Sequence, residues 1–167
     1  TTEGWEYSGG FTPDLKEFYY LREIGETKED KKTEFVVIQN KDNQWKKTVI
    51  SLRVGTPFIS PDGKIMYLGK RYKERLDNGN WSEIKKLGFP FDSLPIMRLT
   101  ASSKGTYFFD EFKSDFTGDI RYSRIVNGER EEPKLLSKKI NGGKSFHPFI
   151  ASDESYLIFD GKREGGY

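Results

Sequence analysis

The side chains that could do chemistry in this chain are few, and three of them recur in one setting. Asp14, Asp62 and Asp153 each follow a short strand-like segment, and the first two come directly after a Pro. A circle of carboxylates could hold a cation, but Asp in a Pro-Asp turn commonly accepts hydrogen bonds from its own backbone. We therefore interpret the three aspartates as structural turn residues and keep the cation ring as the alternative.

Three arginines and the one histidine are weak candidates for binding a ligand. Arg22, Arg71 and Arg163 follow apolar or aromatic segments, where their guanidinium groups could hold an anionic ligand in bidentate fashion. The alternative for each is a pair with a neighbouring carboxylate. His147 precedes Pro148 at the start of an apolar segment, where a structural role competes with ligand binding. We predict no catalytic residue among them.

An acidic segment in the third quarter of the chain is a weak candidate for Ca²⁺. Asp110, Glu111, Asp115 and Asp119 lie close together in the sequence. A Ca²⁺ ion needs six to eight converging oxygens, as a rough range, and the spacing here matches no EF-hand loop. We expect a solvated acidic loop and no cofactor, and we keep Asp115 and Asp119 as the alternative metal ligands.

The composition excludes several function classes. The 167 residues contain no Cys and a single His, so disulfides, thiolate zinc sites, a cysteine nucleophile and His metal clusters are ruled out. Lys plus Arg is 28 against 26 for Asp plus Glu, a balance that argues against a nucleic-acid partner. No apolar run is long enough for membrane insertion. An aromatic fraction of 15%, with 17 Gly and 7 Pro, favours an all-β fold with short strands.

One short pattern occurs four times and predicts the elements that position these side chains. Its copies span Gly9–Arg22, Pro57–Lys70, Arg98–Glu111 and Pro148–Gly161. With Asp14, Asp62, Ser103 and Asp153 in register, the four copies align without a gap. Each predicts two strands around a tight turn, and the second strand is almost wholly apolar, which indicates burial on both faces.

A second hairpin follows the first in three of the repeats. Turn signals at Asn40–Asn43, Asn78–Gly79 and Asn127–Gly128 separate further strand-like runs. In two of these hairpins Trp45 and Trp81 follow the turn at equivalent positions, so we expect both to be packing residues, with sugar stacking as the alternative. Four strands in each repeat of forty to fifty residues, as a rough period, predict a β-propeller.

The residues of the second repeat carry a resemblance to a known family. The pattern F-x-S-P-D-G-K-x-x-Y at Phe58–Tyr67, the N-G-N-W-S-E hairpin at Asn78–Glu83 and the K-R-E-G-G-Y segment at Lys162–Tyr167 resemble the propeller repeats of TolB-like proteins. The resemblance implies one partial propeller over residues 1–167, with repeats near 5–54, 55–93, 94–143 and 144–167. About three and a half blades would then be present, as in the N-terminal part of a longer propeller.

A partial propeller has a consequence for association. Unpaired strand edges and uncovered blade faces favour self-association. We expect either an open or oligomeric arrangement, or a compact ring of four units in which Trp5, Glu6 and Tyr7 serve as a borrowed strand.

The resemblance and the absence of a convergent acid–base pair favour binding over catalysis. We expect a non-catalytic scaffold that binds a protein, a peptide or a cell-envelope component. Two alternatives stay open: the propeller portion of a glycan- or peptide-processing enzyme, and a carbohydrate-binding module. We predict a periplasmic or secreted location and leave a cytoplasmic one open, since the absence of Cys is compatible with each.

Overall fold

The computed structural model describes residues 4–142 and 144–162 and is all-β, with 54% strand and 4% helix. Sheet 1 consists of β1 (Glu6–Phe11), β2 (Glu17–Ile24), β3 (Lys32–Lys41) and β4 (Gln44–Leu52). Sheet 2 consists of β5 (Pro57–Ile59), β6 (Ile65–Leu68), β7 (Arg71–Glu74) and β8 (Lys85–Lys86), and a short 3-10 helix follows at Phe91–Ser93.

The second half of the chain continues the same plan. The next strands are β9 (Ile96–Ala101), β10 (Tyr107–Phe112), β11 (Gly118–Ser123), β12 (Ile125–Val126), β13 (Glu129–Arg130) and β14 (Lys134–Leu135). Sheet 3 has the order β14-β11-β10-β9, and β12 and β13 form a separate small hairpin. Helix α1 (Lys138–Asn141) precedes sheet 4, which pairs β15 (Lys144–Ile150) with β16 (Leu157–Lys162).

The predicted hairpins are confirmed, because their turn residues adopt the required backbone. Asp42 and Asn43 both have positive φ between β3 and β4. Asn127 and Gly128 also have positive φ, of 54° and 84°. The structure differs in one respect, since the Asn127–Gly128 turn closes the small β12–β13 hairpin and does not lead directly to β14.

The sheets pack face to face in chain order. The core between sheets 1 and 2 is formed by Tyr19, Leu21, Phe35, Val37, Ile59, Met66 and Leu68. The core between sheets 2 and 3 is formed by Tyr67, Phe91, Leu99, Ala101 and Phe109. On β6, therefore, Met66 and Leu68 face one neighbouring sheet and Tyr67 faces the other, which confirms the predicted burial of this strand on both faces.

The first strands of the sheets lie side by side. β1 contacts β5, β5 contacts β9, and β9 contacts β15. β15 also packs on β10 and β11 of the preceding sheet. The inner edges of all four sheets therefore meet along one line of contact.

The fourth repeat departs from the expected burial. On β16 and just before it, Ile158 and Tyr156 are 59% and 54% exposed. Within the described residues sheet 4 has two strands, and it packs on sheet 3 through one face only. The expectation of burial on both faces is therefore wrong for this copy. Glu6 and Tyr7 pair with β2 of their own sheet and do not complete the last one.

The gapless alignment of the four turns is also wrong in the third repeat. Thr12 faces Glu17 and Ser60 faces Ile65, with four residues between them, whereas Ser102 faces Thr106 with three. Ser102 therefore corresponds to Ser60, and Ser103 does not occupy the position of Asp62. No Asp lies two residues after Ser102, and the Ser102 hydroxyl instead donates to Glu154 Oε1 of the next turn at 2.7 Å.

Candidate functional site

A cavity of about 390 Å³ lies where the first strands of the four sheets meet. β1 contributes Gly10, β5 contributes Phe58 and Ile59, and β15 contributes Phe149 and Ile150. The Phe58 and Phe149 rings meet edge to face with centroids 6.2 Å apart. The walls are mostly apolar, as is usual for a site that binds an organic ligand.

One cation, Arg98 of β9, lines this apolar cavity. β9 is irregular at this point, because its register with β10 shifts between Leu99, which pairs with Phe109, and Ile96, which pairs with Glu111. The same kind of irregularity occurs in β1 near Ser8 and in β15 at His147, and both residues have positive φ. Bulges of this kind redirect side chains and often lie beside binding sites.

Asp110 holds two of these irregular strands together. Its side chain is fully buried on β10. Oδ1 accepts hydrogen bonds from the backbone N–H groups of Met97 at 3.2 Å and Arg98 at 2.7 Å, and Oδ2 accepts one from His147 N–H at 3.0 Å. Asp110 therefore fixes the backbone that carries Arg98 and ties β15 to it.

The Arg98 side chain itself has no hydrogen-bond acceptor among the described residues. Its Nε is buried and unpaired. Burial lowers the pKa of the guanidinium, and the charges of Asp110 and Asp160 oppose that shift. Arginine nevertheless stays protonated in proteins, so the group carries a charge and five N–H donors at the cavity. A buried donor without a partner costs about 1–3 kcal/mol, which a ligand acceptor or a water would recover.

Sequence reasoning missed Arg98, and the predicted site residues lie elsewhere. A charged residue between the apolar Met97 and Leu99, in the first strand of a repeat, is the signal that could have identified it. Arg98 and His147 occupy equivalent positions in their repeats, because each lies four residues before the first residue of its turn, Ser102 or Ala151.

The repeat aspartates act as turn residues in the structure. Asp14 Oδ1 accepts hydrogen bonds from the Thr12 hydroxyl at 2.6 Å and from the Lys16 N–H at 3.1 Å, and these lower the pKa of Asp14. Asp62 has the same arrangement. Burial raises the pKa of Asp62, but the hydrogen bonds from the Ser60 hydroxyl and the Lys64 N–H lower it by more, so the pKa lies below its ordinary value.

The aspartates come together in part. Asp14 and Asp62 line one cavity of about 210 Å³, together with Arg75. Asp153 does not line that cavity, and its Oδ1 accepts hydrogen bonds from the N–H and hydroxyl of Ser155. Two of the three carboxylates are therefore neighbours, next to a cation.

Of the three sequence-predicted arginines, the two that the structure describes are not brought to one site. Arg22 pairs with Glu34 across β2 and β3, with an Nε–Oε2 distance of 3.1 Å. Arg71 has no ion pair among the described residues, and it lines a separate cavity of about 220 Å³ with Arg53 and Lys70. Arg163 lies outside the described residues.

His147 has a structural contact on each side. Its N–H donates to Asp110, and its ring Nδ1 lies 2.6 Å from Asp160 Oδ2 on β16. The His147 side chain is 42% exposed and does not line the cavity that contains Arg98.

The expected solvated acidic loop is wrong for its first two members. Asp110 and Glu111 belong to β10, and Glu111 pairs with Arg121 on β11. Asp115 caps a turn through the N–H and hydroxyl of Thr117, and Asp119 pairs with Lys113. Among residues 4–142 and 144–162, no group of three His, Asp or Glu side chains is placed to hold a metal ion.

Trp45 and Trp81 are not equivalent, contrary to expectation. Trp45 is 52% exposed on β4. Trp81 packs on the core between sheets 1 and 2, where its Nε1 donates to the Tyr19 hydroxyl at 2.7 Å. Burial raises the pKa of Tyr19 to about 12, and the hydrogen bond from Trp81, which lowers it, is opposed by the nearby charge of Glu17, which raises it. The Arg75 guanidinium covers the Trp81 ring at 4.4 Å.

Comparisons with known proteins add no family assignment. No family model matches the chain, and no curated protein matches it significantly. The helices in the described ranges are too short and too polar to cross a membrane.

Proposed function

We propose that this chain is part of a TolB-like β-propeller and works as a non-catalytic scaffold that binds a peptide or a peptide segment of a protein. The observation that carries the proposal is the cavity of about 390 Å³ where the first strands of the four sheets meet. Among the described residues it combines apolar walls with one cation, Arg98, and a polar group placed in an apolar cleft orients a ligand. An exported partner, such as a component of the cell envelope, would agree with the proposed periplasmic or secreted location.

The order of the sheets supports the propeller arrangement. Three four-stranded meanders and one hairpin pack face to face in chain order, and their first strands are neighbours. In a propeller the first strands of the blades surround the central channel, so the cavity would lie at that channel. Binding at a shared concave surface is a common use of repeat folds.

A cavity-filling substitution tests this function directly. A Cβ atom built on Gly10 meets no other heavy atom within 4 Å, so Gly10→Leu starts a side chain at the cavity wall without a clash at its Cβ. Lys46→Leu adds the same side chain on the exposed strand β4 and is the matched control.

Peptides selected from a random library against the wild-type protein should bind Gly10→Leu at least about tenfold more weakly, a change of about 1.4 kcal/mol. They should bind Lys46→Leu as they bind the wild type. Selected peptides that bind both variants equally well, or a selection without any binder, would refute the proposal.

A further inference from the structure

We infer that the ligand of this cavity is a peptide that presents a carboxylate to Arg98 beside an aromatic side chain packed against Phe58 and Phe149. The inference rests on the proposed function and specifies its ligand. It starts from the guanidinium, whose Nε is buried without a partner and whose other donors have no acceptor in the described part of the chain.

A carboxylate is the acceptor that fits a free guanidinium best. The two groups match in geometry, with two parallel N–H···O bonds, and in charge. Water would satisfy the donors but would not neutralise the charge, which is already desolvated beside apolar walls. The carboxylates of Asp110 and Asp160 are close enough to act on Arg98 electrostatically, but neither accepts a hydrogen bond from its side chain. The oxygens of Asp110 bind the backbone N–H groups of three residues, and Asp160 Oδ2 lies 2.6 Å from the ring of His147.

The backbone holds Arg98 in place for this role. Asp110 accepts a hydrogen bond from Arg98 N–H at 2.7 Å, at the irregular point of β9. The position of the side chain therefore depends on a buried, fully enclosed anchor and not on a mobile loop. Preorganised donors reduce the entropy that a ligand loses on binding.

The remaining walls favour an aromatic group over a flexible acyl chain. Phe58 and Phe149 present ring edges and faces to the cavity, and their centroids are 6.2 Å apart. Aromatic rings favour edge-to-face and offset contacts with a third ring. Ile59 and Ile150 complete the apolar surface and provide methyl groups that report on occupancy.

A matched pair of small probes tests the inference: N-acetylphenylalanine, which has a carboxylate, and its neutral amide. Binding is followed by the chemical shifts of the Ile59 and Ile150 methyl groups. The acid should bind at least about tenfold more tightly than the amide. In Arg98→Met, which keeps an apolar side chain of similar length, the acid should lose that advantage while the amide binds as before. In Gly10→Leu both probes should bind weakly.

The outcomes separate the two levels of the proposal. Equal binding of acid and amide to the wild type would overturn the carboxylate assignment and leave the binding function standing. No methyl shift with either probe would overturn both. Tighter binding of octanoate than of N-acetylphenylalanine would overturn the peptide assignment in favour of a fatty acid. The comparison of acid and amide uses wild-type protein, so it decides the question even where Arg98→Met fails to fold.

Discussion

Replacement of Asp110 is the sharpest test of how the last two sheets are joined. The carboxylate is fully buried and accepts three backbone hydrogen bonds, two from β9 and one from β15. In Asp110→Asn the amide oxygen can still accept the two bonds from β9, but the NH₂ group then faces the His147 N–H. The side-chain NH₂ and the His147 N–H, both donors, would then face each other where the Asp110 carboxylate now accepts.

The magnitude follows from these three bonds. A hydrogen bond to a charged group contributes about 1.5–3 kcal/mol, so the loss of one bond and the weakening of two should cost about 3 kcal/mol. Asp110→Ala removes all three and leaves the charge of Arg98 without this nearby carboxylate. Its cost should reach about 4–5 kcal/mol, near the upper end for one substitution, because relief of the buried carboxylate's desolvation offsets part of the loss.

The free energy of unfolding of both variants is measured by urea titration followed by circular dichroism, and their Tm by thermal melts. For a chain of this size 3 kcal/mol corresponds to a decrease of roughly 6–12 °C in Tm. Asp119→Asn is the matched control, because Asp119 pairs with the exposed Lys113, just after β10, and the loss of this pair should cost at most about 1 kcal/mol. If Asp110→Asn unfolds at the same urea concentration as this control, the assignment of Asp110 as the anchor between sheets 3 and 4 is incorrect.

Three further predictions concern the turns and the contact between sheets. Ser60→Ala should lower the free energy of unfolding by about 1–3 kcal/mol in urea titrations, because the partly buried Ile65 N–H loses its acceptor. The pKa of Asp62 lies below the ordinary 3.8 in the folded state, so the ionised carboxylate stabilises the fold above pH 3.8 and this stabilisation is lost as the pH falls. Ser60→Ala removes one of the hydrogen bonds that lower this pKa, so it should reduce the loss of stability in acid, measured by thermal melts at pH 2 to 5. Gly118→Ala should destabilise the protein, because its Cβ would lie 2.1 Å from the Phe146 ring; an unchanged Tm would contradict this packing.

The local parts of the fold were predictable from residue types alone. Pro61–Lys64 forms the expected turn, with Gly63 at a φ of +72°, and Asn127–Gly128 forms a hairpin turn as expected. The shorter turn of the third repeat was not predictable, because it is stabilised from a distance. Glu154 of the next sheet accepts the hydrogen bond from Ser102 that an Asp two residues later accepts in the first two repeats.

The candidate site was not predictable because its members are ordinary residues by sequence. Arg98 occurs in a strand of mixed polarity, and Asp110 looked like one of several acids in a solvated loop. Their importance depends on the irregular pairing of β9 and β15 and on the burial of Asp110 between sheets. Arg22 and Arg71, by contrast, line two separate cavities.

By itself the sequence determined the hairpins, the apolar strands and their fourfold recurrence, because turn chemistry and strand periodicity depend on neighbouring residues. Only the tertiary structure decided which faces are covered, which carboxylate replaces the missing turn Asp, and that residues from Gly9 to Ser152 line one cavity with Arg98. Hydrophobic burial is non-directional, so an apolar strand reveals that it is buried without revealing its partner. A charge gains its role from the groups around it, and here those groups come from four different sheets.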